Sequence, residues 1–383
     1  MKFIKLKKAA NLLHAYYDLL LARDKPRAMP VELSLGTTSF CNLKCVMCPR
    51  EGSDGNLTPF DEHIDMQYFV EMRPYLERAK EISLYGLGEP MIDRGYFEKV
   101  RFVNSFGAEV SLSSNGTLLD DQRCREVIQS GIKAIGISLD ATCEDTFKVV
   151  RPPGGFDAIV ENVKRLSKFK KEMNSPTPEL HLSFGVMKQN IHDVETFPDL
   201  AKELDAQVVV VHTIIHQSRY AERELGVTRN EVKAVADKAR KRAEELKLNF
   251  VYWDLDSSTF LKSVDFYKEN PVELQPKLDG KSVGKPKAYC HFLWRNAMIQ
   301  GKGELFPCCY LSNLKVGKVE NGNLRELRND PVLVNMRRSI YAGDAPPPCQ
   351  TCPQMVPFSR KQILKNAWTE LKALLRAKLS TPQ

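Results

Sequence analysis

Three cysteines stand within eight residues in the stretch SFCNLKCVMCPR at 39–50. Cys41, Cys45 and Cys48 follow the spacing Cys-x3-Cys-x2-Cys directly after a predicted strand. Thiolates are soft ligands that bind iron–sulfur clusters, zinc or copper(I). Three thiolates on a 4Fe–4S cluster leave one iron without a protein ligand, and such an open position marks a catalytic metal centre. The alternative is a zinc site with a remote fourth ligand.

A second set of cysteines lies in the C-terminal part of the chain. Cys290 and Cys308 stand in the pattern Cys-x12-Gly-x4-Cys around Gly303, and the stretch CQTC supplies Cys349 and Cys352. The alternation around GKGE predicts a β-hairpin whose two strands each present one thiolate. Four thiolates make a closed site, which predicts a structural or electron-transferring centre. A four-cysteine zinc ribbon is the alternative.

The length of 383 residues and the absence of a signal peptide argue against a small disulfide-rich secreted domain. Clustered cysteines in such a chain indicate metal binding in a reducing cytoplasm. The net charge of +8 permits an anionic partner without arguing for nucleic acid. Cys124 and Cys143, which fall in or beside helical stretches, are predicted to be core residues.

Basic amphipathic helices are predicted at both ends, over 1–28 and 358–383. His14 and Asp18 interrupt the apolar run of the first, which argues against a signal peptide or a membrane-spanning helix. Either these helices pack on the rest of the protein or mediate dimerisation, or they make peripheral contact with a membrane surface. Their apolar residues at helical spacing are Phe3, Leu6, Ala10, Leu13, Tyr17, Leu20 and Leu21, and Ile363, Leu364, Trp368, Leu371, Leu375 and Leu379.

Between the two ends, short apolar strands alternate with longer helical stretches. Six strands, from VELSLG (31–36) to QVVVVHTII (207–215), predict parallel βαβ units with right-handed crossovers. Six units are too few for an eight-fold barrel. The predicted fold class is therefore α/β, a partial (β/α)6 barrel over 29–253, with a connection over 254–289 and a small α+β auxiliary domain over 290–357.

The three-cysteine motif on such a barrel resembles the cluster-binding motif of the radical S-adenosylmethionine (SAM) superfamily. Met47 matches the hydrophobic position that packs near the adenine in that family, although loop filling is an equal alternative. The resemblance implies that the amino and carboxylate groups of SAM chelate the open iron. It also implies that an electron from the cluster cleaves SAM to a 5′-deoxyadenosyl radical, which abstracts hydrogen from the substrate.

Further family motifs stand at the ends of the predicted strands. YGLGEP (85–90) is similar to the family's GGEP motif, which receives the methionyl amino group, but Leu87 stands where its first glycine would be. The stretches LSSNGTLL, ISLDA and RPPGGF resemble segments that bind the ribose and the carboxylate. Turns, strand-end caps and a surface arginine are the alternatives. The residues that the resemblance assigns to SAM binding are Gly86, Gly88, Glu89, Pro90, Ser113, Asn115, Ser138, Asp140 and Arg151.

The second cysteine set resembles the SPASM/twitch extension of radical SAM enzymes. The full SPASM pattern carries further cysteines for a second auxiliary cluster, and none follows Cys352. The resemblance therefore implies one auxiliary 4Fe–4S cluster, held by Cys290, Cys308, Cys349 and Cys352. The Gly-x4-Cys spacing favours Cys308 as the ligand, and Cys309 is either a substitute ligand or a buried thiol.

Together these resemblances, over roughly residues 31–355, imply a radical SAM enzyme whose auxiliary cluster accepts an electron in an oxidation such as a dehydrogenation. The candidate substrates are a sugar or alcohol, a lipid-linked intermediate and a ribosomal peptide. About 30 residues before the barrel leave no room for a peptide-recognition domain. Flavodoxin or ferredoxin is the expected electron donor.

Two alternatives accompany this prediction. A non-enzymatic iron–sulfur or zinc protein would transfer electrons or organise partners, but such a carrier normally completes its ligand set. His212 and His216, at the last barrel strand, either face the substrate or are structural.

Overall fold

A ten-stranded, mostly parallel sheet organises the protein. The computed structural model describes residues 2–48, 63–214, 224–253, 286–311, 314–350, 352 and 354–376. The strands are β1 Glu32–Leu35, β2 Glu81–Ser83, β3 Glu109–Ser114, β4 Ala134–Ser138, β5 Glu179–Val186, β6 Val208–Thr213, β7 Asn249–Trp253, β8 Ala288–Cys290, β9 Asn296–Gln300, β10 Glu304–Phe306, β11 Gly317–Lys318 and β12 Met355–Pro357.

Helices connect most of these strands and cover one face of the sheet. They are α1 Lys2–Leu20, α2 Met66–Glu71, α3 Arg73–Leu76, α4 Tyr96–Asn104, α5 Asp121–Gln129, α6 Glu144–Val150, α7 Phe156–Glu172, α8 Phe197–Glu203, α9 Arg229–Glu245, α10 His291–Arg295, α11 Leu324–Leu327, α12 Pro331–Ala342, α13 Pro347–Gln350 and α14 Arg360–Arg376. Short 3₁₀ turns lie at Pro90–Ile92, Ile191–Asp193 and Cys309–Leu311.

The strand order confirms the predicted parallel α/β architecture. Strands β1 to β7 follow one another in sequence order, and each pairs in parallel with the next. Alternation along the strands explains which face is buried. In β4, Ile135 and Ile137 are fully buried under the helices, whereas Gly136 and Ser138 on the opposite face are half-buried. The sheet therefore has one apolar face toward the helices and one accessible inner face.

Strands of the auxiliary part of the chain extend this same sheet. Strand β9 pairs in parallel with β1, with Glu32 opposite Asn296, and β10 and β11 add antiparallel strands beyond it. The predicted limits at 253 and 290 consequently do not mark a break in the sheet. The connection predicted over 254–289 falls outside the described residues as far as 285.

The predicted hairpin exists, but it carries its cysteines differently. β9 and β10 form the hairpin, and Gly303 in its turn has a positive φ of 92°. Cys290, however, ends β8, which pairs with β12 in a separate two-stranded sheet. The prediction that both hairpin strands present a thiolate is wrong for Cys290, because α10 intervenes and buries Leu293 and Trp294 before β9 begins.

The structure also places the two isolated cysteines and the terminal helices. Cys124 is buried as predicted, whereas Cys143 is exposed at the N-cap of α6, so the prediction of a core position is wrong there. The two predicted amphipathic helices form as α1 and α14 and pack against each other. Within the described ranges, no helix has the length and apolar character needed to cross a membrane.

Candidate active site

The three-cysteine loop follows β1 and lies at the C-terminal end of the parallel strands, where α/β proteins build their sites. Two backbone hydrogen bonds tie the loop to the segment after α6. Lys44 N–H donates to the Pro152 carbonyl at 2.8 Å, and Val46 N–H donates to the Val150 carbonyl at 3.1 Å. A turn bond from Cys48 N–H to the Cys45 carbonyl shapes the end of the motif. The protein backbone itself therefore positions the cysteines.

Arg151 lies beneath the loop and joins it to a buried carboxylate. Its Nη1 donates to Cys45 Sγ at 3.4 Å, while Nε donates to Asp140 Oδ2 at 2.8 Å and Nη2 donates to the same oxygen. Burial alone would lower the pKa of Arg151, but Asp140 and Cys45 outweigh it, and the pKa is raised. The guanidinium is thus a fixed positive charge beside the most buried thiol of the motif.

Cys45 is the buried cysteine of this loop, and Cys41 and Cys48 are half-buried. Burial raises the pKa of the Cys45 thiol to about 11, although the Arg151 charge opposes this shift. Burial disfavours the thiolate form of Cys45, and bound iron would stabilise that form. Three thiols that can ligate iron, with a guanidinium beside one of them, accordingly suit an iron–sulfur cluster.

Asp140 is held from two sides and in an unusual backbone conformation. Its φ is 58°, in the left-handed region, its Oδ1 accepts the Gly185 N–H at 2.6 Å, and its carbonyl accepts Asn190 Nδ2 at 2.8 Å. Space at Gly185 is limited, since a Cβ there would lie 3.1 Å from His212 Cε1. Asp140 therefore links the ends of β4 and β5 and orients Arg151.

Glu89 fixes the loop that follows β2. It is buried, and its Oε1 accepts the Ser114 hydroxyl at 2.9 Å and the Met91 N–H at 3.2 Å, while Oε2 accepts the Asn115 N–H at 2.7 Å. Desolvation raises the pKa of Glu89 despite these bonds. Glu89 thereby buttresses the turn that follows β2. Its assignment to SAM binding stays a prediction.

The motif glycines allow the β2 loop to touch the cysteine loop. A Cβ at Gly88 would lie 2.5 Å from the Phe40 carbonyl oxygen and 2.6 Å from that of Thr38, which no real side chain tolerates. Gly86 makes a looser approach, with Gly36 Cα at 3.1 Å from its ideal Cβ. These glycines therefore permit a close approach to the chain's own backbone.

Asn115 reaches the first cysteine through a short polar chain. Its Nδ2 donates to Asn42 Oδ1 at 2.9 Å and lies 3.9 Å from Cys41 Sγ, and its Oδ1 accepts the Thr117 N–H at 3.0 Å. Asn42 in turn donates to the Thr117 hydroxyl at 2.8 Å. These bonds align the residue after Cys41 with the end of β3.

The other predicted residues take separate places around this centre. Ser113 and Ser138 are half-buried on the inner face, on the neighbouring strands β3 and β4. Met47 packs on a small apolar cluster with Val150 and Ile214. Pro90 begins the 3₁₀ turn capped by Glu89.

Of the two candidate histidines, the structure describes one. His212 is half-buried on β6, and its Nδ1 lies 2.9 Å from the Thr213 carbonyl. It therefore stands on the last predicted barrel strand as the sequence analysis placed it. His216 lies outside the described residues.

Sequence reasoning missed the supporting residues around these positions. Arg151 was predicted to meet the SAM carboxylate, but no pattern indicated that it donates to Cys45 and pairs with Asp140. Asn190 and Gly185 also carried no motif, because their contacts arise only when β5 lies beside β4. For Asn42, the only feature of the sequence that could have indicated a role in the site was its position next to Cys41.

The predicted auxiliary cysteines converge on one apolar cavity. Cys290, Cys308, Cys349 and Cys352 all line it. Within the described residues, no three His, Cys, Asp or Glu side chains converge as they would around a single ion. A cluster is larger than one ion, and the cavity walled by the four thiols and by Leu293, Leu311, Met336 and Met355 fits such a group.

Burial dominates the electrostatics of this cavity. It raises the pKa of Cys290 to about 12, while the backbone N–H groups of Leu293 and Phe292 and the charge of Arg337 oppose the shift. Arg337 is itself buried, and it donates to the carbonyls of Leu293 and Asp24 at 3.0 and 3.1 Å. A cation held by neutral carbonyls beside the thiols favours an anionic occupant.

Comparisons with known proteins agree with this geometry. The sequence matches the family model described as the Radical SAM superfamily over residues 35–214. It also matches that of SPASM, an iron–sulfur cluster-binding domain, over residues 290–353.

Curated relatives match over different lengths. The tungsten-containing aldehyde ferredoxin oxidoreductase cofactor-modifying protein of Pyrococcus furiosus is 30% identical over 45% of this chain and 47% of its own. The AdoMet-dependent heme synthase of Methanosarcina barkeri is 26% identical over 80% of this chain and 82% of its own. The chain spans about half the length of the first of these and of a probable GTP 3′,8-cyclase from Saccharolobus solfataricus.

Solved structures share the fold at low identity. Streptococcus suis SuiB bound to the precursor peptide SuiA gives a TM-score of 0.61 at 15% identity, over 81% of this chain and 67% of that one. Native anSMEcpe with bound AdoMet gives 0.55 at 16% identity, over 91% of this chain and all of that one. The two family models together cover well over half of the sequence and contain every predicted cluster ligand, so the chain belongs to the radical SAM superfamily and has a C-terminal SPASM domain.

Proposed function

We propose that the protein abstracts hydrogen from a substrate C–H bond, with Cys41, Cys45 and Cys48 holding the catalytic cluster. When bound, this cluster and SAM supply the reductive cleavage that begins the reaction. The observation that carries the proposal is the incomplete set of three thiols on a loop that the protein orders by itself. The loop ends beside Arg151, which donates to Cys45 Sγ at 3.4 Å.

The surrounding residues have two roles in this proposal. Arg151 and Asn115 point nitrogen donors at sulfur atoms of the motif, and hydrogen bonds to sulfur tune a cluster's potential. Glu89 and Asp140 are positioning residues, since their oxygens are already satisfied by the protein. Ser113 and Ser138 on the inner face, together with Gly86 and Met47, are the proposed contacts of SAM.

The inner face of the sheet favours a polar substrate. Ser83 and Ser111 bridge β2 and β3 there, with their hydroxyl oxygens 3.1 Å apart, and Ser113 and Ser138 continue the polar surface. Half-buried hydroxyls form hydrogen bonds with sugars and alcohols at low entropic cost because their side chains are short. A sugar or alcohol substrate, free or lipid-linked, is therefore proposed ahead of a peptide.

A peptide substrate is the second candidate. SuiB, which shares the fold, is seen bound to its precursor peptide. Peptides offer backbone amides, which the small hydroxyls of the inner face also satisfy.

The auxiliary cavity is proposed to hold one 4Fe–4S cluster that accepts an electron from the substrate. Four thiols line this cavity, and four ligands complete the coordination of such a cluster, which leaves no open position for a substrate. An electron acceptor would convert hydrogen abstraction into a net oxidation such as a dehydrogenation. Flavodoxin or ferredoxin is the proposed donor to the catalytic cluster.

Anaerobic reconstitution with iron, sulfide and SAM, followed by reduction, tests the enzyme proposal. The wild-type protein should form 5′-deoxyadenosine, and the triple variant C41A/C45A/C48A should form none while it retains the auxiliary iron. Cys143→Ala is the matched control, because Cys143 is exposed and outside both sites.

The test also separates the enzyme from the alternative of a non-enzymatic carrier. A carrier would show intact clusters and no 5′-deoxyadenosine in the wild-type protein. If instead the triple variant kept the iron of two clusters, the ligand assignment would be refuted.

A further inference from the structure

The apolar stripe of α1 faces solvent. Its members Phe3, Leu6, Leu13 and Tyr17 are exposed, Phe3 to 69% and Leu6 to 64%. These are the residues whose helical spacing made the segment amphipathic in sequence. The inward face of α1 also carries apolar residues, Leu12, Tyr16 and Leu19, which are buried in the core, so the exposed stripe is a second apolar face of the helix.

Polar anchors on the opposite face of α1 explain this orientation. The buried Lys8 ammonium donates to the Ala79 carbonyl at 2.6 Å, and Asn11 Nδ2 donates to the carbonyls of Met29 and Arg78 at 3.1 and 3.3 Å. These carbonyls lie in the segments that enter β1 and β2. These contacts and the burial of Leu12 and Leu19 fix the rotation of the helix about its axis, which leaves the apolar stripe outward.

Helix α14 repeats the pattern beside α1. Leu364, Trp368 and Leu375 are exposed at positions that share one helical face, and Ile363, Ala367 and Leu374 are buried on the other. Lys5 Nζ donates to the Leu375 carbonyl at 2.7 Å, and the Tyr16 hydroxyl donates to Glu370 at 2.6 Å. The helices thus lie side by side on one core, with their outward faces adjacent.

This pair holds most of the exposed apolar surface of the described chain. Eight of the twelve large hydrophobic side chains that are exposed there belong to these helices or to Leu21, just after α1. Scattered exposed hydrophobics need no explanation, but a concentrated set on two adjacent helices indicates an interaction surface. We call this set, Phe3, Leu6, Leu13, Tyr17, Leu21, Leu364, Trp368 and Leu375, the terminal stripe.

Basic residues accompany the terminal stripe, and acidic ones do not. Each helix contains a single carboxylate, and both are engaged by the protein. Asp18 is buried and accepts the Arg27 and Ala28 N–H groups, and Glu370 pairs with Arg295. The exposed charges of α14 are therefore positive, and they include Lys361, Lys365, Lys372 and Arg376.

We propose that the terminal stripe docks the protein on an anionic membrane surface. Exposed leucine, phenylalanine, tyrosine and tryptophan side chains with basic neighbours are what an interfacial helix uses, with apolar insertion and charge attraction adding together. A symmetric dimer through the same surface would bring like charges together without any free carboxylate from either helix to neutralise them.

The same end of the molecule carries another basic feature. A cavity of about 640 Å³ opens where the chain enters β6 and β7, and Lys170, Lys171, Lys202 and Lys247 line it. One of these, Lys171, pairs with Asp205. The remaining lysines, Lys170, Lys202 and Lys247, add positive charge at this end of the sheet.

Docking through the terminal stripe also determines which way the candidate active site faces relative to the membrane. This consequence rests on the proposed function. The contacts of α1 lie at the N-terminal ends of β1 and β2, whereas the cysteine loop follows the C-terminal end of β1. The catalytic end consequently faces away from the bilayer. A lipid-linked substrate would need a soluble part long enough to reach around the sheet.

Flotation of the full-length holoprotein with vesicles tests the docking without any turnover. We expect binding to phosphatidylcholine vesicles that contain phosphatidylglycerol and weaker binding to phosphatidylcholine alone. The double variant L6S/W368S should lower the partition coefficient by roughly tenfold or more because it removes two inserted side chains. Val70→Ser is the matched control, since Val70 is exposed on α2, away from the terminal stripe.

Quenching of tryptophan by brominated lipids tests the orientation. Trp368 should be quenched, and Trp368→Phe should abolish quenching, because Trp294 is buried and Trp253 is exposed at the C-terminal end of β7. Quenching that persists in Trp368→Phe would overturn the orientation.

Two further results would overturn the docking proposal itself. One is a wild-type protein that fails to float with either vesicle. The other is a wild-type dimer, by light scattering, that L6S/W368S converts to monomers, since the terminal stripe would then be a contact between copies. Neither result depends on SAM cleavage, so a failed docking proposal is distinct from a failed enzyme proposal.

Discussion

The two cysteine sites of this protein differ in how the chain builds them. The catalytic set comes from one loop of eight residues, tied by backbone bonds to the segment 150–152 and by Arg151 to a buried carboxylate. The auxiliary set comes from distant segments that meet around an apolar cavity. The first site has three thiols on one hydrogen-bonded loop, whereas the second gathers four thiols from separate segments around an apolar cavity.

We expect the largest effect from breaking the ion pair between Arg151 and Asp140, next to the catalytic loop. Arg151→Gln should destabilise the protein by about 3–5 kcal/mol, because it strands the buried Asp140 carboxylate. Urea unfolding measures the change. The double variant D140N/R151Q should recover part of the loss, and an Arg151→Gln protein of unchanged stability would show that the pair does not hold this site.

At the auxiliary site, we expect the loss of a ligand to change iron content and local hydrogen exchange. Cys349→Ala should remove about four iron atoms per chain and speed hydrogen exchange in both segments that carry Cys290 and Cys308. The loop at 41–48 should exchange as before, and 5′-deoxyadenosine should still form. Exchange that also increases at 41–48 would mean that the sites are structurally coupled.

A smaller effect is expected at the buttress of the β2 loop. Both oxygens of Glu89 accept N–H or hydroxyl donors, so the amide of Glu89→Gln must face at least one donor. The expected loss is about 1–3 kcal/mol in the free energy of unfolding. Glu98→Gln, at an exposed position of α4, is the control and should change little. Equal stability of the two variants would contradict the assigned bonds.

The smallest effect concerns the neighbour of an auxiliary ligand. Cys309→Ala should leave the iron content unchanged and shift stability by about 0.5 kcal/mol or less, because Cys309 does not line the apolar cavity. Cys308→Ala should lose the auxiliary cluster. If the iron contents of these two variants were reversed, the spacing argument for Cys308 would fail.

The difference between the sites also explains how far the sequence could be interpreted. The strands β1 to β6 and the catalytic cysteines were predictable because periodicity and a short motif are local signals. The pairing of β9 with β1 was not, since nothing in either strand encodes a partner so distant in the chain. Cys290 was placed on the wrong strand for the same reason.

Contacts that depend on charge and burial were also beyond what the sequence could predict. That Arg151 contacts Cys45 depends on how the chain turns after α6, which no residue type announces. The amphipathic pattern of α1 was visible in sequence, but its direction was not. Buried Lys8 and Asn11 bind carbonyls at the strand entrances, and Leu12 and Leu19 pack on the core beside them, so the other apolar face remains outward.

The parallel pairing of β9 with β1 has a consequence for the order in which the protein assembles. During synthesis the ribosome releases β1 long before β9, so β1 remains an unpaired sheet edge until most of the chain has emerged. Contacts of such long sequence separation form late and slowly, and an open edge invites pairing with other chains. A protein truncated before residue 286 should therefore aggregate even though β1 to β7 are complete, which makes the SPASM segment an edge protector during biogenesis as well as a cluster carrier.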